Sequence, residues 1–275
     1  MSSNTTSGVP PAPVLKFPFK YPSAKAPPAA LSDTPLTPAA STPTDVAMTI
    51  DDEKFVLGVE NVLKLSREDR ARLFVGPEVT VQCEYQDLCT VPLRLLLAVS
   101  KPARDRYLDP ESGRKIERLG MSGTNNAAPL KYLFGWVKET AKKRKCFALP
   151  SIGMAKDLKV IMVAQHHGMD NYVRSLINRH WATLHNDQLT FDILWAIHNA
   201  DPTHTFSFWT ALVRRISNDK LDGTMPDTED MKDWEMRLPQ LAAAVDANYK
   251  PRAEKKAAWE ARQAAKLAKQ AYKST

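Results

Sequence analysis

The chain has 275 residues, 43% of them hydrophobic and 25% charged, with a formal net charge of +7. Its length allows one or two domains. No stretch approaches the roughly eighteen uninterrupted apolar residues of a membrane-spanning helix, and three cysteines without paired spacing argue against a disulfide scaffold and for a reducing compartment.

The charge is unevenly placed. Residues 1–50 carry +1, residues 51–249 balance at zero, and residues 250–275 hold eight basic and two acidic side chains, giving +6. The high pI therefore belongs to a tail, whereas a nucleic-acid-binding domain normally carries its excess on a folded face. Ten of the twenty prolines fall in the first fifty residues, between Pro10 and Pro43, among Ser, Thr and Ala. Such a segment has too little apolar surface to offset its ordering entropy, so residues 1–50 are expected to be disordered. No secretory signal is visible at the N-terminus.

Residues 51–73 form an N-terminal extension. Phe55–Leu63 is apolar enough to be ordered, as a short helix or an edge strand. Ser66 with Asp69 three residues on has the form of a helix start. Gly76-Pro77 signals a turn, and a strand follows in which Val79, Val81 and Cys83 alternate with polar residues. Leu88–Val91 is its hairpin partner. Pro92 suits the first turn of a helix whose face is Leu93, Leu96, Leu97 and Ser100, and Lys101-Pro102 ends or kinks it. Arg104–Ser112 reads as loop, and a third strand is expected around Ile116–Met121, its facing open. Residues near 80, 90 and 118 should therefore share one β-ladder.

Leu130, Leu133, Phe134 and Val137 mark an amphipathic helix. Met154, Leu158, Ile161, Met162 and Gln165 mark the next, with Gly168 in the place of a left-handed C-cap and Asp170 as the cap of a helix carrying Val173, Leu176, Ile177, His180, Trp181 and Leu184. Two packing helices follow within 185–218. Residues 219–249 read as a linker with a short helix broken at Pro239, and residues 250–275 as a basic helical tail with a narrow stripe of Ala257, Ala261, Ala264 and Ala268.

The expected fold class is α+β: a small sheet packed with helices, then extra C-terminal helices and a long Ala/Lys-rich helix. In this order the elements resemble a BTB/POZ domain of a divergent fungal type, over residues 74–184. The resemblance is carried by Leu73-Phe-Val-Gly-Pro-Glu78, by Thr90-Val-Pro-Leu-Arg-Leu-Leu-Leu-Ala-Val-Ser100, by Pro129–Val137 and by Asp157–Met169. Pro92 stands where many members have His, and Gln165 where the family has an acid. The resemblance implies a non-enzymatic module that binds other proteins, a homodimer being one such assembly, in the cytoplasm or nucleus.

The residues themselves offer little chemistry. No Gly-rich phosphate loop and no G-x-S-x-G elbow is present, and nothing spaces His185, Asp187 and Ser207 into a triad. His166, His167, Cys83, Cys89 and His180 lack the paired spacing of a zinc site. No catalytic residue, metal site or cofactor is expected, and no membrane contact. Lys142, Lys143, Arg144 and Lys145 form a candidate nuclear-localisation patch, read alternatively as cations that complement a helix C-terminus. Lys255, Lys256, Arg262, Lys266 and Lys269 are candidate contacts to an acidic partner or, weakly, to nucleic acid.

Overall fold

A computed structural model describes residues 48–113, 115–121, 127–143, 147–201 and 203–273. Expectations for residues 1–47, and for Arg144, Lys145 and Cys146, lie outside these described residues.

Helix α1 (Ile50–Leu57) starts at Thr49, whose side chain accepts from the Asp52 backbone N–H, and ends at Gly58. The Phe55–Leu63 segment is thus partly helical, followed by a short 3-10 turn over Val62–Lys64. Helix α2 (Arg67–Arg72) shows the anticipated capping exchange: Ser66 Oγ accepts from Asp69 N at 3.0 Å and donates to its carboxylate at 2.9 Å.

Strands β1 (Glu78–Cys83) and β2 (Gln86–Pro92) form an antiparallel hairpin, and β3 (Arg118–Met121) pairs parallel to β1, giving the order β2-β1-β3. One ladder does link the segments near 80, 90 and 118, with Val81 opposite both Cys89 and Leu119. Val79, Val81 and Cys83 face inward as the period-two pattern requires. In β3 the inward residue is Leu119, with Arg118 and Gly120 exposed. A parallel pair needs a crossover, supplied here by α3 (Leu93–Val99) and α4 (Lys101–Leu108).

Helix α3 has no exposed residue. The single face predicted from Leu93, Leu96 and Leu97 understates it, because Leu95, Ala98 and Val99 are buried too. Pro92 is its N-cap rather than its first helical residue. Arg94, 6% exposed, reaches Asp52 of α1 at 2.7 Å. The expected loop Arg104–Ser112 is instead helical to Leu108: Ser100 Oγ caps α4, and Ala103 and Tyr107, one turn apart, are buried. Two small apolar commitments among five charges left little periodic signal.

Helices α5 (Ala127–Lys142), α6 (Met154–His166) and α7 (Asp170–Asn186) cover this nucleus. Leu130, Leu133, Phe134 and Val137 are buried as expected. Gly168 is left-handed (φ +66°) just past α6, and a Cβ there would sit 2.9 Å from Lys101 Cβ. Asp170 is the first residue of α7; Met169 occupies the cap position without a side-chain bond. Tyr172 Oη accepts from Val62 N at 3.0 Å, tying α7 to the N-terminal extension.

Helices α8 (Phe191–Ala200) and α9 (Ser207–Asp222) follow. The expected linker over 219–249 is ordered: α9 extends through Asp222, and Met231, Trp234, Leu238, Leu241 and Val245 are buried. The acidic composition there is a solvated surface laid over apolar anchors. After α10 (Trp234–Arg237), α11 runs from Pro239 to Lys273 as one helix of 35 residues, so the basic tail continues a packed element. Pro239 does mark the break, and Pro251 lies inside α11.

The C-terminal carbonyls of α5 are held by Arg70 of α2. Its guanidinium, 5% exposed as a residue, donates to Ala141 O (3.2 Å), Lys143 O (3.0 Å) and Leu65 O (2.6 Å). Charged donors on buried carbonyls are worth more than neutral ones. Arg70→Met is expected to lower the unfolding free energy by about 3 kcal/mol, whereas Lys232→Met, at the exposed ion pair with Glu229, should cost less than about 1 kcal/mol; urea denaturation of both variants checks the contrast.

Candidate interaction surfaces

All six histidines lie among the described residues, and most are engaged by packing. His180 (4% exposed) donates from Nε2 to Asp157 Oδ2 at 2.9 Å. Asp157 is fully buried and also accepts from Ser151 Oγ (2.5 Å) and Ile152 N (2.8 Å). Serine, aspartate and histidine meet here in the wrong order for catalysis: the hydroxyl bonds the carboxylate and makes no bond to the imidazole, leaving no general base at the nucleophile. The cluster instead anchors the turn before α6 to α7.

His167 is a second buried case. Its Nδ1 lies 3.1 Å from Ser100 Oγ, its backbone oxygen accepts from Lys101 N at 2.8 Å, and its Nε2 makes no bond in the structure. Burial, reinforced by the neighbouring His166, pushes its pKa down to about 4. Ser100 is fully buried, so this serine–histidine contact has no access for a substrate. His166 is exposed, its ring nearly perpendicular to that of His167, so the two diverge.

Cys83 is buried on β1, and Cys89 is half-buried on β2 with its thiol pKa raised by burial, against the pull of Lys138 and Lys131. Among the described residues, no three His, Cys, Asp or Glu side chains come together as metal ligands would.

His185 and Ser207 line one open groove of about 640 Å³ between α7 and α9, with Trp181 and Arg214. They are not joined by a bond: His185 Nδ1 contacts Trp181 O at 2.8 Å, and Asp187 contributes its backbone oxygen to Arg215. A further loop is organised by Asp201, which accepts from Thr203 N (2.8 Å), Thr205 N (2.6 Å) and Phe206 N (2.8 Å). Although burial opposes its charge, these bonds and that of the Thr203 hydroxyl hold its pKa at about 2.

Among the exposed groups, two sets in the C-terminal helices stand out. On α8, Trp195 is 50% exposed and stacks on Phe191 at 6.3 Å, while Arg237 of α10 lies over the other ring at 3.4 Å. Met236, the residue before Arg237, is 76% exposed. Trp209 and Trp234 are buried, and Trp136 and Trp181 are half-buried. On α11, Lys255, Arg262, Lys266 and Lys269 are exposed and make no bond or ion pair among the described residues. Lys256 differs: it donates to Leu221 O at 2.8 Å and lies 3.7 Å from Asp222, at the C-terminal end of α9.

Of the candidate nuclear-localisation patch, Lys142 pairs with Glu139 at 3.8 Å and lies over the Phe74 ring, and Lys143 is exposed. The helix end they border is bonded by Arg70, a residue 71 to 73 positions away that periodicity had no means of indicating.

The chain matches no family model, and no curated protein or solved structure matches it. No helix of the described residues is long and apolar enough to cross a membrane.

The neutral burial of His167 has a pH consequence. Its folded pKa lies below the unfolded value of about 6.5, so its contribution is complete above pH 6.5 and is lost as pH falls toward 4. Unfolding free energy should drop by on the order of 3 kcal/mol over that window. In His167→Gln the slope should flatten, leaving the smaller contribution of His198, whose pKa is lowered first by burial and then by His204. Urea titrations at pH 7 and 4.5 measure both.

Proposed function

We propose that this protein is a non-enzymatic, BTB/POZ-like module that holds other proteins, acting in the cytoplasm or nucleus. The order β1-β2-α3-α4-β3-α5-α6-α7 over residues 74–184 supports the family likeness. Buried ionisable groups support the non-enzymatic reading: Arg70, Asp157, His180 and Asp201 are spent on backbone and side-chain bonds within the fold.

The observation that carries the reading is the exposed Trp195, stacked on Phe191, over whose ring Arg237 lies; Met236, next to Arg237 in the chain, is exposed as well. Tryptophan, arginine and methionine are enriched at protein interfaces, and a large aromatic already immobilised by stacking loses little entropy on docking. The same patch on a second copy of this chain is one candidate partner.

Cross-linking with mass spectrometry in cell lysate, using the full chain, should place cross-links around α8 and α10. Trp195→Glu should reduce them at least about tenfold without altering the circular dichroism spectrum. Cross-links indifferent to that substitution would remove the patch from the reading, and a chain that is monomeric and recovers no partner at all would overturn it.

A further inference from the structure

Helix α11 keeps one face from end to end. Leu241, Val245, Asn248, Arg252, Lys255, Trp259, Arg262, Lys266 and Lys269 follow one another at alternating steps of four and three residues. That spacing places them along a single seam. At its start the seam is core: Leu241 and Val245 are fully buried where α11 packs on α9. It then turns polar, with Arg252 bonded to Asn218 of α9 at 2.6 Å and to Asn248 at 3.2 Å. Lys256 reaches the last turn of α9, which ends at Asp222. Beyond that point the same face continues into solvent carrying four unpaired cations and Trp259, itself 61% exposed.

Helical geometry fixes the layout. At about 100° and 1.5 Å per residue, Lys255, Trp259, Arg262, Lys266 and Lys269 fall within an arc of about 80° and span about 21 Å. Glu254 and Glu260 lie outside that arc by this construction, and Ala257, Ala261 and Ala264 occupy the opposite side. Elsewhere in the fold Arg72, Arg94, Lys138, Arg215 and Lys220 each face a carboxylate within 4 Å, and cations unpaired among the described residues, such as Arg67 and Arg174, stand on separate elements, whereas α11 lines up four in one arc.

We propose that this seam binds a single strand of nucleic acid, its cations on successive phosphates and Trp259 stacked on a base. The proposal stands apart from the protein-binding reading, which uses α8 and α10. Charge complementarity excludes an apolar groove as the occupant, since docking there would strip water from four unpaired cations. A membrane surface asks for a bulky apolar face, and opposite the seam Leu267 is a single large apolar side chain among alanines and Glu260. A helix lying in a duplex major groove meets both walls, whereas these cations occupy one narrow arc. An exposed aromatic within a cationic row is the arrangement that takes up unstacked bases.

The test is fluorescence anisotropy of the full-length protein with labelled oligothymidylate and oligouridylate of about 20 nucleotides, over salt from about 50 to 300 mM. Four phosphate contacts predict a slope of log K against log salt of about −2.8. The double variant Arg262→Gln/Lys266→Gln should halve it to about −1.4, and Lys256→Gln should leave it unchanged because that side chain is engaged on α9. Trp259→Ala should weaken binding at least about fivefold at an unaltered slope. A slope insensitive to the double variant, an equal effect of Lys256→Gln, or tighter binding to duplex, to polyglutamate or to phosphatidylserine vesicles would overturn the proposal.

Discussion

A helix without a solvent-facing side must be surrounded, and α3 is such a helix. All seven of its residues, Leu93 to Val99, are buried. The sheet lies on one flank through β1 and β2, α1 and α4 close others, and the one charge in the segment, Arg94, is neutralised by Asp52. Burying each leucine contributes about 2 kcal/mol, but the guanidinium sets the geometry. A buried cation stripped of its partner is more damaging than the pair is stabilising. Asp52 must therefore be in place, and it is itself fixed by Thr49 and Arg72. The N-terminal extension is thus structural.

The same logic recurs farther along the chain. Asp157 with His180, Asp201 with its loop of threonines, and Arg70 with the end of α5 each place a polar group at a junction between elements. There it satisfies backbone groups that a turn or helix terminus leaves over. The turn at His167-Gly168 lacks room: Lys101 N bonds His167 O, and Gly168 admits no Cβ against Lys101. These junctions fix the relative positions of α2, α4, α5, α6 and α7. The aromatic patch of α8 and the cationic seam of α11 lie outside these junctions.

Much of the architecture was legible because it repeats. Period two marked β1, the i, i+3, i+4, i+7 stripe marked α5, and a serine with an acid three residues on marked α2. Two stretches misled. Arg104–Ser112 looked like loop because five charges mask Ala103 and Tyr107, and 219–249 looked like linker because Pro226, Pro239 and a run of acidic residues hide a stripe, Met231, Trp234, Leu238, Leu241 and Val245, that keeps regular steps of three and four. The junction groups were invisible for a different reason: Arg70 acts on Ala141, 71 residues on, and Tyr172 on Val62, 110 residues back. Local pattern carries no information about such pairings. The exposed cations of α11 were named from composition, but separating Lys256 from the other four required knowing where α9 ends.

The encirclement of α3 also bears on how the chain is made. The elements packed closely about it, α1, β1 and β2, precede it in the chain, and α4 follows at once. During synthesis from the N-terminus, most of the covering for this leucine-rich turn has left the ribosome before the turn itself emerges. Much of the shelter of this greasy segment is thus local, and α5 to α7 complete it as they follow.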